Sequence, residues 1–156
     1  MTNLPASSVS APDLTQRPPR SLRCRLGGFV ILPRLLDKWR ADIAGTIGGY
    51  HFNCPLDQQF LRFTGIDASE LRAEIARGRT DSEMLAWIQE NMRNERTPWE
   101  IESWSAYQDR RLPASDAETS AFYSGVLAGI SKNRADVNTW ADLLDLDDHV
   151  SFGGTA

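Results

Sequence analysis

At several points along this chain an oxygen-bearing side chain is followed, three residues on, by a glutamate: Asp67 and Glu70, Thr80 and Glu83, Thr97 and Glu100, Ser115 and Glu118. The first oxygen can accept from the free backbone N–H groups of a helix's opening turn while the carboxylate reaches back to the cap. A chain punctuated in this way is committed to short helices. Behind Thr80 come Met84, Leu85, Trp87, Ile88 and Met92, and behind Thr97 come Ile101, Trp104 and Tyr107, with Pro98 at the first helical position. Behind Ser115, Phe122, Val126 and Ile130 keep the spacing, although Gly125 and Gly129 each weaken a helix by roughly 1 kcal/mol relative to alanine.

Proline and glycine mark two earlier helices. Pro33 precedes a stripe of Leu35, Leu36, Trp39 and Ile43 that Gly45 stops, with Arg34, Asp37, Lys38, Arg40 and Asp42 on the other faces. Pro55 opens a second, carrying Leu56, Phe60 and Phe63 to Gly65. Thr139 caps a last one with Trp140, Leu143 and Leu144. Residues 1–21 hold Pro5, Pro12, Pro18 and Pro19 among small polar residues and predict an extended arm. The pattern in Leu22–Leu32 predicts a short strand or an extended strap, and the alternation in Tyr50–Cys54 a short strand or an extended turn. The fold class expected is mainly α: one compact domain over 22–156, about six short helices, at most a minor β element, and an N-terminal arm over 1–21.

A chain of 156 residues has the length of one domain, and 41% hydrophobic residues with five tryptophans set it apart from disordered sequences. The tryptophans stand mostly at core spacings. A formal net charge of −4 with both signs interspersed gives no field to attract a polyanion, so nucleic acid is not an expected partner. No apolar run approaches the ~20 residues a membrane helix needs, and Met1 to Ser10 lacks a secretory pattern. A cytoplasmic location is expected, with Cys24 and Cys54 reduced.

The densest set of reactive side chains lies in Tyr50–Gln59. Cys54 precedes Pro55, which puts its sulfur at a helix N-terminus, where free amide donors and the macrodipole favour a thiolate. His51, three residues earlier, could serve as base, and Asp57 could orient or protonate. These three are the catalytic candidates. Tyr50, Asn53 and Gln58 from the same run, with Arg25 and Lys38, are the candidates for holding substrate. The plainer reading makes Cys54 a small buried residue and His51 a hydrogen-bonded packing residue. No regular metal-ligand pairing joins His51, Cys54, Asp57 and His149, and neither a phosphate loop nor a nucleophile elbow is present. No metal and no organic cofactor are expected. The arginines Arg17, Arg20, Arg23 and Arg25 could form an anion site or, more plainly, lie across Asp142, Asp145, Asp147 and Asp148.

Four stretches, DLTQRPPRS at 13–21, RLGGFVILPRLLDKWRA at 25–41, GGYHFNCPLDQQFLRFTGID at 48–67 and TWADLLDLDDHVSFGG at 139–154, resemble the DUF5069 family, a bacterial family of unknown function. The resemblance implies a stand-alone bacterial domain and carries no activity or catalytic residue with it. The functional expectation therefore rests on the residues. It is a small enzyme or enzyme-like protein that binds a small polar or anionic metabolite between the Tyr50–Gln59 segment and the Pro33–Ala44 helix. The alternative is a non-catalytic module, a homodimer or a partner-binding domain.

Overall fold

The computed structural model of the chain describes residues 10–114 and 116–156. Among the described residues seven helices follow in order: α1 Leu32–Ala44, α2 Pro55–Thr64, α3 Ala68–Ala76, α4 Asp81–Asn91, α5 Pro98–Arg110, α6 Ala117–Ile130 and α7 Trp140–Ser151. Thr80 with Glu83 and Thr97 with Glu100 form reciprocal capping boxes, as does Thr139 with Asp142. Asp67 caps α3 through the N–H groups of Ser69 and Glu70. Gly45 and Gly65, both left-handed, end α1 and α2. One cap differs from expectation: α6 is capped by Asp116, which accepts from the Thr119 N–H, while Ser115 and residues 1–9 of the arm lie outside the described residues.

Among the described residues the β element reduces to one isolated bridge, Leu26 with Phe29. Gly27 and Gly28 both take positive φ between them, so the chain turns back within four residues and cannot extend into a ladder. Ile31 then adopts φ 72 at the start of α1, held by its N–H bond to the Leu22 carbonyl and by complete burial.

The core gathers around α1. Leu35, Leu36 and Trp39 meet Phe60 and Leu61 of α2, Leu71 and Ile75 of α3, Met84 and Ile88 of α4 and Ile101 of α5. Every residue from Leu32 to Ala41 is buried, so the faces bearing Arg34, Asp37, Lys38 and Arg40 are covered by neighbouring elements. A helix buried all round must pair its charges, and each of these has an opposite charge from another element. Arg34 binds Asp148 of α7 at 2.7 Å, Asp37 binds Arg20 at 3.0 Å, Lys38 binds Asp57 of α2 at 2.9 Å, and Arg40 binds Asp81 of α4 at 2.6 Å. A smaller apolar cluster, Tyr123, Val137, Leu143 and Leu146, fastens α6 to α7.

Candidate functional site

Local chain chemistry shapes the Tyr50–Gln59 run. Gly48, at φ 63, passes so close to residue 14 that a Cβ there would lie 3.0 Å from the Leu14 carbonyl oxygen. Asn53 takes φ 53, the left-handed region that asparagine tolerates better than most residues. Cys54 is the N-cap of α2 with its own side chain free of capping, and Pro55 begins the helix. The run is therefore a tight turn feeding a helix.

Behind that turn, Lys38 reaches out from α1. Its ammonium lies 2.9 Å from Asp57 Oδ1 and donates to the His51 carbonyl at 3.1 Å and to Cys54 Sγ at 3.3 Å. Asp57 Oδ2 accepts from Trp39 Nε1 at 3.0 Å. The Lys38 and Asp57 side chains are 3% and 0% exposed, so the two charges compensate each other where water cannot. Lys38, Cys54 and Asp57 are thus brought together, and His51 joins them only through its backbone, its side chain lying at the exposed surface.

The remaining candidates are placed apart from this cluster. Tyr50 donates to Asp148 Oδ1 at 2.8 Å, beneath the Arg34 guanidinium; burial and the neighbouring carboxylate push its hydroxyl well above the ordinary tyrosine range. Asn53 and Gln58 hydrogen-bond each other. Arg25 is held by Asp109 of α5 at 2.6 Å.

In front of Cys54 is a cavity of about 410 Å³, lined by Cys54, Pro55, Leu56, Gln59, Arg111, Thr119, Phe122, Trp140 and Leu144. Its walls are α2, the residue after α5, α6 and α7, and no residue of α1 lines it. The lining is almost wholly apolar apart from one cation. Arg111 makes no ion pair and no side-chain hydrogen bond among the described residues; its guanidinium lies 5.6 Å from the Trp140 ring centroid. Burial lowers its pKa from the ordinary arginine value, and Tyr107 offsets only part of that. Arg111 Nε and Trp140 Nε1 are both sealed from solvent without an acceptor among the described residues. Buried donors left unmatched cost about 1–3 kcal/mol each.

Arg111 was not marked by any motif, and Phe122 and Trp140 were marked only as core positions of their helices. The one local signal at Arg111 is that no acid stands three or four residues to either side, so a helical surface pair cannot neutralise it. A second cleft of about 410 Å³ is lined by Leu14, Gly48, Gly49, Tyr50, Asp147 and Phe152 among others. Both cysteines are free thiols. Among the described residues no group of three or more His, Cys, Asp or Glu side chains is placed to hold a metal ion, and no helix is long and apolar enough to cross a membrane.

A family model described as a domain of unknown function (DUF5069) matches residues 16–150. No curated protein matches the chain.

Proposed function

The chain belongs to the DUF5069 family, a membership that fixes no chemistry, and we propose from its cavity that it binds a compact organic anion with an apolar body. The observation that carries this reading is Arg111: a half-buried guanidinium without a counter-ion among the described residues, set in a mainly apolar cavity whose other polar side chains, Gln59 and Thr119, are neutral. A volume of about 410 Å³ lies within the usual range of small-molecule sites, which are largely apolar with a few polar groups that fix orientation. A carboxylate would compensate the guanidinium through two hydrogen bonds, while Leu56, Phe122 and Leu144 would take up an aryl or short alkyl body. Trp140 would close one side.

This reading keeps the end of the segment, Cys54 to Gln59, sets aside Tyr50, Asn53 and Gln58, which do not line the cavity, and replaces the cation. Arg25 and Lys38 already have carboxylate partners, and a ligand would have to displace these. Arg111 has no such competitor among the described residues.

The test is a matched pair of probes, phenylacetate and phenylacetamide, equal in shape and different in charge. Phenylacetate at saturating concentration raises Tm by a few degrees, as about 1 kcal/mol of linkage does for a domain of this size, and phenylacetamide raises it less. In Arg111→Gln the difference between the probes disappears. Equal shifts by both probes in the wild-type chain would remove the anion from the reading.

A further inference from the structure

Cys54 faces the proposed anion site from one side and the Lys38–Asp57 pair from the other, and we infer that it is a nucleophile toward carbon electrophiles that carry a carboxylate. The inference rests on the anion-binding reading of the same cavity and adds the chemistry done there. Three observations converge on the sulfur. Cys54 is a lining residue of the cavity that holds Arg111, so a carboxylate paired with Arg111 would place the remainder of a small molecule in the volume that Cys54 borders. It accepts a hydrogen bond from Lys38, an ammonium 97% buried by its 3% side-chain exposure, so negative charge gathering on sulfur during attack meets a fixed positive group. It also occupies the N-cap of α2 with no capping bond of its own, which leaves the side chain available.

Asp57 has a positioning role. It holds Lys38 beside the sulfur and is itself fixed by the Trp39 indole N–H, so the ammonium cannot swing toward solvent. The step is a substitution at carbon: the S–C bond forms as the bond from that carbon to its leaving group breaks. The leaving group departs with the electron pair, and the thiol proton passes to solvent. No oxidant or metal enters the balance.

Alkylation of the full chain by iodoacetate and by iodoacetamide tests this, because the two differ only in the carboxylate and each releases iodide. Both cysteines are read in the same sample by peptide mass. Cys24 is exposed and stands between Arg23 and Arg25, both already paired with carboxylates, which makes it the reference for a thiol outside the cavity. The expected result is an iodoacetate-to-iodoacetamide rate ratio at Cys54 at least fivefold above that at Cys24. Phenylacetate should slow the reaction at Cys54 alone, and Arg111→Gln should bring the Cys54 ratio down to the Cys24 value. Slower labelling of Cys54 than of Cys24 by both reagents would overturn the nucleophile, and equal ratios at the two cysteines would overturn its preference for electrophiles that carry a carboxylate. If phenylacetate still raised Tm more than phenylacetamide in that case, anion binding would stand without it. A fast Cys54 with no charge preference and no such shift would instead overturn the anion site and, with it, the substrate class inferred here.

Discussion

Lys38 and Asp57 show how a single residue can be read in two opposite ways. In the sequence Lys38 is a polar residue on a helix face, available to a ligand; in the fold it is a buried ammonium whose charge is met by one carboxylate. Removing one partner of such a pair leaves an uncompensated charge where water cannot reach, which costs about 3–5 kcal/mol, whereas replacing both by apolar residues of similar size costs little. Asp57→Ala therefore lowers stability by about 3–5 kcal/mol in urea unfolding. Lys38→Met with Asp57→Leu recovers most of that loss, leaving about 1–3 kcal/mol for the Trp39 N–H that has lost its acceptor. If the double variant were as unstable as Asp57→Ala, the pair would be holding more than its own charges.

The helices separate into those whose ends are fixed by neighbours and one whose outer face is free. Gly65 ends α2 at φ 72, and a Cβ there would meet Asn94 Nδ2 at 3.0 Å and Arg93 Cβ at 3.1 Å. Gly65→Ala combines left-handed strain with that crowding and is expected to cost about 1–2 kcal/mol. Gly125 lies inside α6 with nothing within 4 Å of its would-be Cβ. Gly125→Ala there removes backbone entropy from the unfolded chain and is expected to stabilise by about 0.5–1 kcal/mol. The sign also bears on the homodimer alternative. Of the fourteen residues of α6 only Tyr123 is buried, and Phe122 is 63% exposed. A loss of stability in Gly125→Ala would mean that a second copy of the chain packs against this helix.

At the scale of the whole molecule, the N-terminal segment is sewn to the rest by arginines. Arg23 spans Asp142 and Asp145 of α7, while Arg20 bridges Asp37 of α1 and Asp81 of α4. Burial alone would raise the Asp81 carboxyl, but hydrogen bonds from Arg20 and Arg40 outweigh it and leave it below the ordinary value; Asp142 is lowered in the same way by Arg23 and by the Asn138 and Thr139 N–H groups. A carboxyl whose folded pKa is depressed stabilises the fold above its unfolded value, about 3.9, and loses that contribution as pH falls through the folded value. Tm should accordingly drop as pH falls below about 4. Arg20→Gln lowers Tm at pH 7, and its difference from wild type narrows through that acid window. A difference that stayed constant down to pH 2 would show that Arg20 acts by packing alone.

The helices were legible in the sequence, and their boundaries too except the start of α6, because each is fixed by chemistry within one turn. Thr80 with Glu83, Thr97 with Glu100, Pro55 and the terminal glycines act on backbone groups three or four residues away. The Tyr50–Gln59 turn was legible for the same reason, as was the pairing of Arg23 with the acids of α7, where opposite charges of high density leave few other arrangements. The partners of Lys38, Arg25 and Tyr50 were not legible, since Asp57, Asp109 and Asp148 are chosen by how α1, α5 and α7 cross. The cavity was least legible of all. Cys54 and Arg111 are 57 positions apart and carry no shared motif, so only the tertiary arrangement that brings α6 and α7 to the same cavity as the start of α2 encloses the space between them. Local backbone chemistry thus determined the elements and the place of the turn. Tertiary packing decided which charges on α1 are compensated and which arginine, left without a carboxylate among the described residues, faces a cavity.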